Sequence, residues 1–76
     1  MLIKQVWAPI PGFHMYLCNR DRSRVGVEVK QRHGRVQQKI NGEYRLQPHP
    51  ETKPDRLLPD DIYSATFYGA ELIPQA

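Results

Sequence analysis

Apolar and polar residues alternate in several short stretches of this chain, a period that is typical of half-buried β-strands. Val25, Val27 and Val29 are separated by single small or polar residues, so residues 25–30 are predicted to form a strand with all three valines turned inward. Other segments share this alternation or are rich in β-branched and aromatic side chains, and they predict strands over residues 2–8, 13–18, 36–40 and 43–47.

The alternation in residues 13–18 separates two faces of the predicted strand. One face carries Phe13, Met15 and Leu17, which are expected in the core. The opposite face carries His14, Tyr16 and Cys18, so the Tyr16 ring is expected to be exposed, and Trp7 is a second candidate for an exposed ring. A break between the first two strands is predicted at residues 9–12, where two prolines are followed by a glycine.

The turn after residues 25–30 determines which side chains of the next strand face the core. His33 and Gly34 are expected to form a two-residue turn. This turn places Val36 on the same face as Val27 and Val29, as a common apolar core requires.

A second turn is indicated by Asn41 and Gly42, a dipeptide that strongly favours hairpins. A two-residue turn there directs Tyr44 and Leu46 away from Val36. A three-residue loop with Gly42 as a bulge returns them to one apolar face, so the longer loop is predicted.

The C-terminal third begins with a proline-rich segment, residues 48–61, which is predicted to be a connection across the surface. Residues 62–73 are rich in β-branched and aromatic residues, and a strand is the preferred interpretation. The alternative is a short helix that begins at Pro59, because proline in the first turn followed by Asp60 and Asp61 suits a helix N-terminus.

These elements predict one mainly β domain over residues 1–76. The expected architecture is an antiparallel meander that closes into a small SH3-like or OB-like barrel, or a bent sheet, with at most one short helix near residues 55–67. This comparison of architecture implies no function. A chain of 76 residues has a small core, so self-association into a homodimer is one way to complete it.

The net charge is +3, and positive charge is concentrated in the middle of the chain. Between residues 20 and 45 there are eight basic and three acidic residues, whereas the remainder has three basic and five acidic residues. A cationic sheet face is the surface that DNA or RNA phosphates require. The predicted nucleic-acid-binding residues are Arg20, Arg22, Arg24, Lys30, Arg32, Arg35 and Arg45.

Two other interpretations of this charge remain open. A sheet face in water is usually charged, Glu28, Lys39 and Glu43 could form a cross-strand charge ladder, and edge cations prevent aggregation. Alternatively, the chain is a protein-interaction module, such as an adaptor or inhibitor of phage or mobile-element origin, that uses an edge strand or the proline-rich segment.

Several other functions are not expected from this sequence. It contains no catalytic triad spacing and no glycine-rich phosphate loop, so neither an enzyme nor a cofactor is predicted. His14 and Cys18 would lie about 13 Å apart along a strand, too far for a shared metal ion. Cys18 is expected to behave as a small apolar residue, or to face a partner if the chain dimerises. A lone cysteine and the lack of an export signal or membrane segment predict a cytoplasmic setting.

Overall fold

The structure, a computed structural model, describes residues 5–76. In this range the elements are β1 Trp7–Ile10, β2 Phe13–Asn19, β3 Val29–Gln31, β4 Tyr44–Leu46, β5 Asp55–Leu57 and α1 Pro59–Tyr68. The strands β1, β2 and β3 form one antiparallel sheet in that order, and β4 and β5 form a separate antiparallel pair. The mainly β class is confirmed: the described residues form bent sheets with one short helix, and they do not close into a barrel.

The first hairpin turns later than predicted. Strand β1 includes Pro9 and Ile10, and the chain reverses at Pro11 and Gly12, whose φ of 80° meets the need of a type II turn for a left-handed residue. Pro9 is tolerated because β1 is an edge strand, where a residue without an N–H can sit without loss of an inter-strand hydrogen bond. Residues 2–4 of the predicted first strand lie outside the described residues.

The two faces of β2 are the reverse of the prediction beyond Phe13. Tyr16 and Cys18 are buried, Met15 is exposed, and only Phe13 of the predicted inward set is fully inside. The pairing of β1 with β2 shifts between Pro9 and Ile10, and this irregularity allows both Phe13 and the later even-numbered residues to face the core. The expectation of an exposed Tyr16 is therefore wrong.

Both turn lengths differ from the predictions. Lys30 pairs with Val36, so a three-residue loop replaces the predicted two-residue turn at His33 and Gly34. A one-residue change of register moves a side chain to the other face, and Val36 is accordingly 61% exposed.

The Asn41–Gly42 turn also differs, because Ile40 and Glu43 pair directly across it. Asn41 and Gly42 have φ values of 52° and 78°, the left-handed pair that a two-residue type I′ turn requires. The predicted three-residue loop is therefore wrong, and residues 36–40 form only isolated bridges.

Only two of the three key valines face inward. Val27 and Val29 are buried, whereas Val25 is 66% exposed. Ser23 and Gly26 exchange backbone hydrogen bonds of 3.1 and 2.9 Å, which places Val25 at the tip of a tight turn before β3 begins. A local turn therefore interrupts the predicted strand over residues 25–30.

The C-terminal third contains the helix α1, so the preferred strand over residues 62–73 is wrong and the helical alternative is correct. Pro59 opens the helix with Asp60 and Asp61 in its first turn, and Gly69 ends it in the left-handed conformation. The buried residues of this segment instead occupy one helical face that packs on the core: Ile62, Tyr63, Ala65, Thr66 and Phe67.

One core lies beneath both sheets. The second sheet contributes Tyr44, Leu46 and Leu57, all buried, and the Tyr44 hydroxyl donates to the carbonyl oxygen of Val27 at 2.7 Å. The proline-rich connection is thus not wholly irregular, because it contains β5 and anchors it through Leu57. Both apolar faces point at the same core, so the outward faces of the two sheets form separate surfaces.

Candidate nucleic-acid interface

The side of the three-stranded sheet that faces away from the core is one continuous surface, here named the outer sheet face. Leu17 of β2 pairs with Pro9 on one side and with Lys30 on the other, and Lys30 pairs in turn with Val36. Cross-strand partners share a face of the sheet. The same face also carries Trp7, Met15 and Arg32.

This outer sheet face is apolar as well as basic. Met15 is 39% exposed and Val36 is 61% exposed, while Trp7 and Leu17 are half-buried. The alternating residues Cys18 and Val29 are fully buried on the reverse side. The prediction that Lys30 and Arg32 lie opposite the inward-facing Val27 and Val29 is confirmed, although the apolar side chains around them were not predicted.

The two cations of this face are positioned by specific contacts. The Lys30 ammonium lies 4.3 Å from the centroid of the Trp7 ring, a cation–π contact between β3 and β1. Arg32 donates from Nε to the carbonyl oxygen of His14 at 2.6 Å, and its backbone N–H donates to the carbonyl oxygen of Met15. Lys30 therefore lies beside the indole, whereas Arg32 lies next to Met15 on the same solvent-facing sheet.

Two further predicted arginines lie on exposed turns. Arg24 is in the turn between Ser23 and Gly26, and Arg35 follows the loop after β3. Within residues 5–76, the side chains of Arg24 and Arg35 make no hydrogen bond, ion pair or ring contact. They are available to a ligand, but the register turns Arg35 away from the face that carries Lys30.

Arg20 and Arg22 belong to a contact with the helix. Arg22 pairs with Asp60 at 2.9 Å and lies 4.4 Å from the centroid of the Tyr63 ring. The Tyr63 hydroxyl donates to the carbonyl oxygen of Arg20 at 2.5 Å, and Arg20 lies 3.8 Å from Asp21. These contacts hold the loop after β2 against α1, so we assign a structural role to the Arg22 side chain and to the main chain of Arg20.

Arg45 lies on the other sheet, on the outward side of β4. It pairs across the strands with Arg56 and borders a groove that also includes Lys53. Lys53 and Arg56 were not predicted as site residues, because they are separate from the basic block and no sequence pattern connects them to it. The predicted ladder of Glu28, Lys39 and Glu43 does not form: Lys39 donates to the Val25 carbonyl oxygen, and Glu43 binds Arg56.

Neither the cysteine nor the metal-ligating side chains of the described residues form a reactive or ion-binding site. Cys18 is fully buried, and this burial raises the pKa of its thiol to about 12. The expectation that Cys18 faces a partner in a dimer is therefore wrong. Among residues 5–76, no group of three metal-ligating side chains is close enough to hold an ion, and no helix is long and apolar enough to span a bilayer.

No protein-family model, no curated protein and no solved structure matches this chain. Function therefore has to be inferred from the chemistry of its exposed surfaces. The outer sheet face combines an aromatic ring, apolar side chains, two cations and the carboxylate of Glu28, which are features that a macromolecular ligand can use.

Proposed function

We propose that this protein is a small nucleic-acid-binding β module that binds a single strand of DNA or RNA on its outer sheet face. The observation that carries the proposal is the contact of the Trp7 ring with Lys30 on a solvent-facing sheet that also carries Arg32. Single-strand binding proteins combine such rings with neighbouring cations, because bases stack on the ring while phosphates pair with the charges.

A single strand suits this face better than a duplex. The bases of a duplex are stacked on each other and are not free to contact the Trp7 ring, whereas those of a single strand are. The exposed Met15 and Val36 offer additional apolar contact to unstacked bases. We expect Lys30 to move from the ring to a phosphate when a base arrives, since an exposed cation–π contact is worth only about 0.5–1 kcal/mol.

Phosphate contacts are supplied first by Lys30 and Arg32, with Arg24 and Arg35 at the margins. For single strands, each neutralised phosphate contributes about −0.7 to the slope of log affinity against log salt. Contacts from two to four cations therefore predict moderate binding that weakens clearly between about 50 and 200 mM salt.

Trp7 makes the proposal directly testable, because it is the only tryptophan in the chain. Titration with oligothymidylate, oligouridylate and a duplex of matched length should quench Trp7 fluorescence with the single strands and much less with the duplex. The two single strands also separate DNA binding from RNA binding. An unchanged Trp7 emission at micromolar protein, with no change in anisotropy of a labelled strand, would contradict the proposal.

Charge variants locate the interface. Lys30→Gln and Arg32→Gln should each weaken binding and lower the magnitude of the salt slope by about 0.7. Lys39→Gln removes the same charge from a side chain whose ammonium group binds the Val25 carbonyl oxygen, and it is the matched control, which should change affinity much less. Equal weakening by all three variants would indicate an unspecific charge effect and would count against the outer sheet face.

A protein partner is the second candidate, and the exposure of Met15 and Val36 on the same face favours it. A partner strand could instead pair with an edge strand or with the proline-rich segment, but these edges have fewer free backbone groups. Strand β1 contains Pro9, which has no N–H, and the Arg56 carbonyl oxygen of β5 already accepts a hydrogen bond from the Gln75 N–H at 2.7 Å. Binding of a protein to this face should depend little on salt, and a homodimer would appear as a doubled mass in light scattering.

A further inference from the structure

The outward side of the second sheet forms a groove separate from the outer sheet face. It has a volume of about 680 Å³ and is open to solvent. Three of its side chains are cations and one is an anion, and its walls come from the turn before β4, from β4 itself, and from the segment that leads into β5. The lining residues of this basic groove are Asn41, Glu43, Arg45, Lys53, Pro54 and Arg56.

Two arginines face each other across this groove. Arg45 of β4 and Arg56 of β5 are direct cross-strand partners, and both side chains point away from the buried residues that flank them. Like charges in directly opposed positions destabilise a sheet. Glu43 offsets part of this repulsion, because it pairs with Arg56 and attracts Arg45, and an anion bound beside Arg45 would offset more of it.

The one carboxylate of the basic groove does not block such a ligand. Glu43 accepts two hydrogen bonds from Arg56, at 2.9 Å from Nε and 3.2 Å from Nη2. The hydrogen bonds from Arg56 lower the pKa of Glu43, which stays ionised and paired. Arg56 also donates from Nη1 to the main-chain oxygen of Ala76 at 2.8 Å, so Glu43 and Ala76 together hold its guanidinium in place.

The remaining positive charges have fewer internal partners. Lys53 is exposed and makes no hydrogen bond or ion pair within residues 5–76. Among the residues that the structure describes, the exposed Arg45 side chain has only a longer-range attraction to Glu43, and Asn41 adds an amide at the rim. Guanidinium, ammonium and amide donors around one open groove match a multivalent oxyanion, whose several oxygens each accept hydrogen bonds.

We propose that the basic groove binds a phosphate group, with Arg45 and Lys53 as its principal contacts and Arg56 as a fixed positive charge. The ligand class is a phosphorylated molecule that carries two or more negative charges, either a free small molecule or the backbone of a nucleic acid. This site is independent of the outer sheet face and does not require that face to bind a strand.

Amide chemical-shift titration with inorganic pyrophosphate tests the site. The expected result is saturable movement of the amides near residues 41–45 and 53–56 at constant ionic strength, together with a rise in Tm. Arg45→Gln and Lys53→Gln should each weaken binding, raising the dissociation constant at least fivefold. Arg24→Gln removes one partnerless arginine from a remote turn and should leave the constant within twofold.

Two further probes distinguish the sources of the phosphate. ADP saturating the same amides would assign the groove to a free phosphorylated molecule, whereas movement with oligothymidylate but not with ADP would assign it to a nucleic-acid backbone. The proposal is overturned if pyrophosphate at millimolar concentration moves no groove amides, or if Arg24→Gln weakens binding as much as Arg45→Gln. The Trp7 quenching experiment can succeed or fail without affecting this result.

Discussion

The outer sheet face and the basic groove are two outward surfaces over one core, and they use positive charge differently. On the outer sheet face, Lys30 and Arg32 lie among exposed or half-buried apolar side chains, and Lys30 lies beside the Trp7 ring. In the basic groove, Arg45 and Arg56 oppose each other across a two-stranded sheet with Glu43 beside them. Cations beside a ring favour a ligand with flat bases, whereas opposed cations in a concavity favour a compact anion.

This difference teaches that a block of basic residues in a sequence is not a binding surface by itself. Lys30 and Arg45 belong to the same basic block, but Lys30 lies on the three-stranded sheet and Arg45 on the two-stranded sheet. Lys53 and Arg56 come from outside that block and complete the second surface. Sheet assignment, rather than local charge density, decides which cations act together.

The largest expected effect tests whether the two surfaces depend on a single core. Leu57→Ala removes a fully buried side chain beneath the second sheet and should cost about 2–5 kcal/mol. Because the core is shared, urea unfolding followed by Trp7 fluorescence in the first sheet should report the entire loss. Leu58→Ala, at a neighbouring position that is 39% exposed, is the control and should cost much less. An unchanged Trp7 transition in Leu57→Ala would mean that the sheets unfold independently.

The register of the outer sheet face can be tested with two matched substitutions. Val29→Thr places a hydroxyl in the core and should cost about 1–3 kcal/mol, while Val36→Thr should stay within about 0.5 kcal/mol. Threonine keeps the β-branched shape, so the comparison isolates burial. A similar cost at both positions, measured by urea unfolding, would show that Val36 faces the core.

The hydrogen bond that joins β4 to the segment before β3 should have a smaller effect. Tyr44→Phe deletes the hydroxyl that donates to the Val27 carbonyl oxygen and should cost about 1 kcal/mol, because a buried acceptor loses its partner. Tyr68→Phe, at a position that is 69% exposed, is the control and should be close to neutral in the same unfolding measurement.

The smallest effect on stability is expected from the surface ion pair of Glu43 and Arg56 in the basic groove, in which the Arg56 side chain is half exposed. Arg56 lowers the pKa of Glu43 below its ordinary value of 4.5 in the folded state, so the contribution is complete above that pH and is lost as the pH falls through the lowered value. Glu43→Gln should therefore lose less stability than the natural chain when the pH falls from about 6 to 3. If the free energies of unfolding of the two proteins fall equally with pH, the pair of Glu43 and Arg56 does not contribute to stability.

Local chemistry explains which parts of the fold could be predicted from the sequence. The alternating valines at 27 and 29 and the buried pair Tyr44 and Leu46 follow directly from side-chain period and apolarity. The turn at Asn41 and Gly42 is predicted at the correct position, but its three-residue length is predicted in order to bring Tyr44 and Leu46 to the same face as Val36. That reasoning failed because β4 pairs with β5, a partner from the proline-rich segment.

The candidate sites were predictable to a lesser extent. Lys30 and Arg32 could be placed on the outer sheet face because a strand period separates them from Val29. The contacts of Arg22 with Asp60 and Tyr63 could not be predicted, since 38 residues separate Arg22 from Asp60 and the segment around Tyr63 was expected to be a strand. The pairing of Arg45 with Arg56 likewise depends on a long-range strand partner.

The amino-acid sequence by itself determined the mainly β class, the breaks at proline and glycine, and the concentration of positive charge in the middle of the chain, because these depend on backbone preference and composition. Tertiary structure alone decided the register of the hairpins, the helical state of residues 59–68 and the division of the cations between two surfaces. The physical reason is that local preferences here are weak and conflicting, so burial against distant partners selects one arrangement.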